Sequence, residues 1–386
     1  MRVVVLGAGI GGLVTARLLR KRLDREHEVV LIDREAQHRF APSFPWVAFG
    51  MRRPEQVTRR LAPLASKGIT FLQAEVESID PAARSVRTSK ETLTGDHLIL
   101  ALGADLAPQN LPGFEPEAHS FYTLPGALAL KGALDRFRGG KVVLFISSTP
   151  FKCPAAPYEG AFLLDAFLRR RGLRERSTIT MVTPEPQPMP VAGPAVGAAL
   201  VGMMEERGIA YRPKEKPQEV LGAERAVLLA GGERVPYDLL LGVPPHVAPA
   251  VVRAAGLTDA SNYVPVRPDT LETAYEGVYA IGDVAAIKLG NGMMLPKAGV
   301  FAHFEAEVVA GNIAARVRGG GARERYDGRG YCWVEAGDGR AGFGGGNFYA
   351  PPAPAFRLVG PSRYQHWRKV LFEKYFLRKW FPSGSR

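Results

Sequence analysis

Two cysteines, Cys153 and Cys332, are all the thiol chemistry in a chain of 386 residues. A pair of thiols cannot staple so long a chain as disulfides staple small secreted domains. Either both are small apolar side chains in a core, or they act chemically. Cys153 stands in Pro150-Phe151-Lys152-Cys153-Pro154-Ala155-Ala156-Pro157-Tyr158-Glu159, with a helical pattern following through Ala161, Leu164, Phe167 and Leu168. A lysine neighbour and a helix N-terminus both favour thiolate over thiol, so this setting suits a redox cysteine. Cys332 lies far downstream, in Tyr331-Cys332-Trp333-Val334-Glu335.

The second chemical signal is a phosphate cradle. Arg2 to Leu6 is a β-branched run, followed by Gly7-Ala8-Gly9-Ile10-Gly11-Gly12 and an apolar helical pattern through Leu13, Ala16, Leu19 and Leu23. Gly7, Gly9 and Gly12 have the spacing for a tight turn, close backbone approach to a pyrophosphate, and close helix-on-strand packing. The helix N-terminus would then face the phosphates. A second strand, Glu28 to Ile32, ends in Asp33, placed to hold ribose hydroxyls.

Further along, Thr273 to Ala280 leads into Ile281-Gly282-Asp283, a strand ending in a Gly-Asp pair. It resembles the segment by which many flavoproteins with two dinucleotide folds set an Asp on the ribityl chain of FAD. Asp96 to Gly103-Ala104 looks like the strand and crossover that leave such an FAD domain. Val76 and Gly103 join the residues expected to line the cofactor. After Leu295-Pro296-Lys297-Ala298-Gly299 a long helical pattern begins. In the resembling proteins this helix points its N-terminus at the flavin, where Lys297 would add positive potential; a lysine in solvent at a helix start is the plainer alternative.

The fold class expected is α/β, with two Rossmann-like dinucleotide-binding domains of the FAD-dependent disulfide-reductase type and a C-terminal extension. The FAD domain is discontinuous, 1–105 and 265–320; the second Rossmann-like domain, with Cys153, is 106–264; the C-terminal region, with Cys332, is 321–386. The second domain opens on a clear strand, Lys141 to Ile146, but Ser147-Ser148-Thr149-Pro150 follows, with no glycine fingerprint. Side chains and prolines there would block the backbone approach a pyrophosphate needs, which argues against NAD(P)H as reductant.

In its place stands Cys-Pro-x-x-Pro-x-Glu. With the order of the other motifs, this resembles the sulfide:quinone oxidoreductase and flavocytochrome c sulfide dehydrogenase family, over most of the chain and least between 170 and 265. The resemblance implies sulfide oxidation through a Cys153–Cys332 disulfide or a sulfur-bridged form of it. One cysteine, Cys153, would carry the sulfane sulfur. The other, Cys332, would lie next to the flavin and pass electrons to FAD, then to quinone. Glu159 matches a family carboxylate proposed for proton transfer. The pattern departs from the family in having no third cysteine and no histidine in Thr183 to Pro190. Phe40 to Trp46 has no cysteine for a covalent flavin link, so FAD is expected to be noncovalent. Alternatives are a flavoprotein subunit with a cytochrome c acceptor, an FAD redox sensor without turnover and, last, a type II NADH dehydrogenase. No metal is expected.

A net charge of +12 favours an anionic partner. No apolar run reaches the roughly 18–20 residues of a membrane span, and the start of the sequence has no signal-peptide pattern. The tail, Tyr364 to Phe381, mixes Trp367, Phe372, Tyr375, Phe376, Trp380 and Phe381 with Arg368, Lys369, Lys374, Arg378 and Lys379. Wound as a helix it shows no clean apolar face, yet aromatics among bases suit an anionic membrane surface. Peripheral attachment on the cytoplasmic side of the cell membrane is therefore expected, against a helix packed on its own protein. No nucleic-acid motif accompanies the tail, and a homo-oligomer is left open.

Overall fold

The computed structural model describes residues 1–320 and 324–385. The first three residues of the expected C-terminal region, 321–323, and its last, Arg386, lie outside the described residues. In chain order the principal elements are β1 (Arg2–Leu6), α1 (Ile10–Arg22), β2 (Glu28–Asp33), β3 (Thr70–Gln73), β4 (His97–Leu100), β5 (Gly140–Ile146), α2 (Ala156–Arg170), β6 (Ser177–Val182) and β7 (Ile209–Arg212). They continue with β8 (Leu239–Val243), β9 (Val278–Ala280), α3 (Gly299–Val317), β10 (Arg329–Gly337), β11 (Arg340–Asn347), β12 (Ala355–Ser362) and α4 (Arg363–Lys379).

Strands of parallel sheets are covered on both faces, so they read as apolar runs rather than alternations. That is the pattern of β1, β2 and β5, whose Val, Leu and Ile side chains are buried. The first sheet has the order β9-β4-β1-β2-β3, all parallel. It draws β9 from far down the chain, so residues near 280 and residues near 100 lie side by side. The second sheet, β7-β6-β5-β8, is also all parallel. These are the two Rossmann-like units expected, and their topology sets both glycine-loop positions at the carboxyl ends of β1 and β5.

The third layer was not legible beforehand. β10, β11 and β12 form an antiparallel sheet that carries Cys332 on its first strand. β10 is pressed onto both Rossmann units: a Cβ on Gly330 would lie 2.1 Å from the Phe301 ring at the start of α3, so only glycine fits there. At its other end, the N–H of Glu335 donates to Glu159 on α2 at 2.8 Å. Pro296 lies three residues before α3 and outside it.

The tail forms a single helix, α4, capped where the hydroxyl of Ser362 accepts from the N–H of Gln365. Its aromatics are not spread all round as the sequence suggested but divide between two faces. Phe376 and Trp380 turn inward, with Phe376 5.0 Å from Phe40 and 5.9 Å from His38, ring centre to ring centre. Gln365, Lys369 and Glu373 share that buried face. Tyr364, Trp367, Leu371 and Tyr375 are 64, 58, 41 and 56% exposed and form the opposite stripe. Among the described residues no helix is long and apolar enough to cross a membrane.

Candidate active site

The β1–α1 turn is built as its glycines require. A Cβ on Gly12 would fall 1.8 Å from the carbonyl oxygen of Gly7, so this residue lets the helix close on the turn rather than lining a ligand space. Gly9, by contrast, has open space beside it. A hollow of about 820 Å³ runs past Gly7, Gly9, Asp33, Val76 and Gly103. A second, of about 210 Å³, is walled by Gly9, Gly103, Gly282, Asp283, Lys297 and Glu159. The two share Gly9, Ala101 and Gly103, and together make one groove across the ends of β1 and β4.

Two carboxylates mark the ends of this groove. Asp33 is fixed by the N–H groups of Ala8 at 2.6 Å and Glu35 at 2.8 Å. Burial raises its pKa and those two bonds pull against the rise. Asp283 has a buried Oδ1 with no hydrogen-bond partner among the described residues. A buried acceptor left unpaired costs free energy, and a hydroxyl donor from a bound ligand would satisfy it. Ribose-type hydroxyls at Asp33 and polyol hydroxyls at Asp283, with a glycine-lined turn between, are what an FAD needs, so the groove fits that cofactor.

Lys297 is not a solvent lysine. It is buried, donates from Nζ to the carbonyl oxygens of Asp283 at 2.7 Å and Ala285 at 3.1 Å, and lies 3.4 Å over the Tyr263 ring. Burial pulls its pKa down to about 8. Its own carbonyl accepts the Cys153 N–H at 2.6 Å, which ties the cysteine loop to the groove wall.

Both cysteines line a separate cavity of about 360 Å³, together with Phe151, Glu185, Lys297 and Phe356 among others. Cys153 and Lys297 belong to this cavity and to the groove; Cys332 belongs to the cavity alone. Cys153 holds the left-handed conformation, φ +53°, uncommon for a residue other than glycine and a mark of functional loops. Both are free thiols. The activation expected from Lys152 and the α2 N-terminus is not what the surroundings produce. The Lys152 Nζ donates to the carbonyl of Ala104 at 3.1 Å, and burial pushes the Cys153 thiol up to about 12, with Glu159 adding to the rise. Burial, then Cys153 itself, raises Cys332 well above its ordinary value. Such thiols are poor attackers at neutral pH, and the cavity suits an incoming nucleophile acting on the oxidised pair.

Glu159 does not stand in the cavity but on the groove, in a buried cluster that the sequence did not reveal. Its Oε1 accepts from Lys369 Nζ at 2.5 Å and from the Glu335 N–H. Lys369 also lies 3.8 Å from Glu335, whose other oxygen is 3.0 Å from His366 Nδ1. Burial alone would lower Lys369, but Glu159 and Glu335 outweigh it and hold the ammonium well above its ordinary value. Burial raises Glu159 and Lys369 opposes it. The only sequence signal was the spacing Gln365, Lys369, Glu373, Phe376, Trp380, one helical face on which a lysine was read as a solvated base. Among the described residues no group of three or more His, Cys, Asp or Glu side chains is arranged to hold a metal.

Two doubly wound sheets, a dinucleotide groove on the first and a cysteine loop where the second would carry its glycine turn define a flavoprotein oxidoreductase of the two-dinucleotide-fold class. The family described as pyridine nucleotide-disulphide oxidoreductase matches residues 1–146 and 160–305; the stretch between, 147–159, holds Cys153 and Glu159. The chain is 30% identical over 400 residues to the sulfide-quinone reductase of Aquifex aeolicus, covering 98% of this chain and 90% of that protein. It is 27% identical over 299 residues to the mitochondrial sulfide:quinone oxidoreductase of Mus musculus, covering 73% of this chain and 65% of the mouse protein. The solved structure of the Aquifex aeolicus sulfide:quinone oxidoreductase superposes with a TM-score of 0.89 at 28% identity, over 98% of this chain and 91% of that one. The chain belongs to the pyridine nucleotide-disulphide oxidoreductase family and, within it, to the group of the sulfide-quinone reductases.

Proposed function

We propose that this protein oxidises sulfide with the Cys153–Cys332 pair and delivers the electrons to a membrane quinone through noncovalent FAD. The observation that carries the reading is the placement of both cysteines on one cavity, with Cys153 on its border with the groove. FAD, when bound, would accept two electrons and yield them to quinone. Gly7, Gly9, Asp33, Val76 and Gly103 would hold its nucleotide half, and Gly282, Asp283 and Lys297 the half nearer the cysteines. The buried Lys297 ammonium favours negative charge at that end of the groove.

The surroundings of the cavity support the choice of reductant. Residues 147–155 join β5 to α2 through Pro150, Phe151 and Pro154, all of which line the cavity, where a nucleotide-binding unit would present bare backbone. A small sulfur nucleophile fits such a space, and NADH lacks its cradle. The exposed stripe of α4 supports the choice of acceptor. Aromatics rimmed by bases suit the headgroup layer, and the buried face of the same helix packs on His38 and Phe40, the segment that begins the groove wall at His38 and Arg39. The protein would thus lie on the membrane with its groove near the lipid quinone pool.

The order of the two cysteines has a second reading. The family resemblance puts Cys332 next to the flavin, but here Cys153 is the one that lines the groove, which favours Cys153 in that role. Anaerobic stopped-flow reduction of the bound flavin tests the whole proposal, with sulfide and NADH offered separately to wild type, Cys153→Ser and Cys332→Ser. Rapid bleaching by sulfide alone, abolished in both variants, is expected. The variant in which the remaining thiolate develops a long-wavelength flavin band retains the flavin-side cysteine. Bleaching by NADH at a catalytic rate would overturn the choice of reductant.

A further inference from the structure

The second Rossmann unit repeats the first with different chemistry at each corner. In the first, the glycine turn follows β1 and an acid, Asp33, closes the adjacent strand β2. In the second, the cysteine loop follows β5, and the first acid after the adjacent strand β6 is Glu185. The cysteine cavity therefore occupies the place where a second dinucleotide would lie, and Glu185 lines it from the side where the ribose acid would be. With no nucleotide cradle there, that carboxylate has no ribose to hold.

We propose that Glu185 is the proton acceptor for the sulfur nucleophile in the cysteine cavity, a role that rests on the sulfide reading above. It is 4% exposed, and its Oε2 accepts from the Tyr158 hydroxyl at 2.6 Å and the Thr183 hydroxyl at 3.3 Å. Those bonds fix the carboxyl, while Oε1 has no hydrogen bond among the described residues and keeps its lone pairs for a proton. Facing it are Tyr158 from α2, Tyr122 ahead of β5 and Tyr211 on β7, with Cys153 and Lys297 on the same cavity; Lys214 meets it only through a backbone N–H that donates to the Glu185 carbonyl. Among the described residues no Lys or Arg forms an ion pair with it; Arg212, its charged neighbour, is turned to Glu215 and Glu233. Burial pushes its pKa up to about 7, with the Tyr158 and Thr183 bonds opposing the rise, so the carboxyl exchanges protons in the neutral range. Glu159 is differently placed: it lines the groove and is committed to Lys369.

The step balances within the proposed activity. Neutral hydrogen sulfide enters the cavity and gives one proton to the Glu185 carboxylate. The resulting hydrosulfide attacks one sulfur of the oxidised Cys153–Cys332 pair; a new S–S bond forms as the old one breaks. The old bond's electron pair leaves on the other cysteine as thiolate, and the attacked cysteine holds a persulfide. Glu185 returns its proton to water before the next turnover; the persulfide loses its proton and its outer sulfur joins the cysteine thiolate to give a sulfur-bridged oxidised pair, the two electrons released going to quinone by way of the FAD that the groove would hold, and later hydrosulfide carries the added sulfur away as polysulfide.

The test is the limiting rate of flavin reduction at saturating sulfide, pH 5.5 to 8.5, in FAD-loaded wild type, Glu185→Gln and Glu185→Asp. Saturation removes the solution ionisation of sulfide from the profile. In wild type the rate rises as one group loses a proton near pH 7. In E185Q, which keeps an acceptor for Tyr158, the rate at pH 7.5 falls about 100-fold and that rise disappears. In E185D the rise persists, and it stands in for E185Q should the latter lose its flavin. An E185Q enzyme that is slow but keeps the ionisation, or one with the wild-type profile, overturns the assignment to Glu185. A wild type that sulfide does not bleach overturns the functional reading instead.

Discussion

Replacing Lys369 with methionine tests the buried cluster that joins the tail helix to the cysteine strand. The ammonium lies 2.5 Å from one Glu159 oxygen and 3.8 Å from Glu335, and all three side chains are buried. At an effective dielectric near 20 the two attractions amount to about 7 and about 4 kcal/mol before desolvation. Desolvating the ammonium returns much of that, and removing one partner of a buried pair costs about 3–5 kcal/mol net, because the other charge stays behind. The unfolding entropy of roughly 2.1 cal/mol/K per residue gives about 0.8 kcal/mol/K for 386 residues. The holoenzyme of Lys369→Met should therefore melt about 4–6 °C below wild type at pH 8. In the variant the carboxyl of Glu159 loses its cation partner and its folded pKa rises further above the unfolded value. A raised carboxyl pKa gives stability at low pH that is lost as pH rises through it. The deficit should accordingly shrink on acidification towards pH 6. The double variant Lys369→Met/Glu159→Gln should recover at least half of the loss, since the carboxylate nearest the lost ammonium is neutralised while Glu335 keeps its contact with His366. Differential scanning calorimetry across pH 6–8 reads all three effects. A double variant whose loss is the sum of the two single losses would refute the reasoning.

Other outcomes follow from single contacts. Gly12→Ala sets a methyl 1.8 Å from the Gly7 carbonyl, so the turn must open and the protein should purify with under a tenth of the wild-type flavin, measured by absorbance ratio. Trp367→Ser with Tyr375→Ser removes two half-exposed aromatics from the α4 stripe; at about 1 kcal/mol each, binding to anionic phosphatidylglycerol vesicles should fall roughly 30-fold in a sedimentation assay, with sulfide bleaching of the flavin unchanged. Gly330→Leu drives a side chain into Phe301 and should displace the Cys332 strand, slowing flavin bleaching by sulfide at least tenfold while leaving FAD bound.

The sequence by itself determined the two Rossmann-like units, because parallel strands are apolar runs and glycine spacing is dictated by what must approach the backbone. Gly7, Gly9, Asp33, Gly282 and Asp283 were legible for that reason, as was the absence of a second glycine turn after β5. Nothing local marked the rest. Cys332 reaches its cavity on an antiparallel strand whose neighbours, such as Phe301, lie elsewhere in the chain. Lys369 and Glu185 look like surface charges in sequence, and only tertiary packing turns one onto Glu159 and the other into the cysteine cavity. Burial then decides the chemistry: it raises the cysteine thiols that a flanking lysine was expected to lower, and it holds a carboxyl near neutral pH where proton transfer to and from a sulfur nucleophile takes place. Charge state depends on the dielectric and on partners across the fold, and these exist only once distant segments have packed.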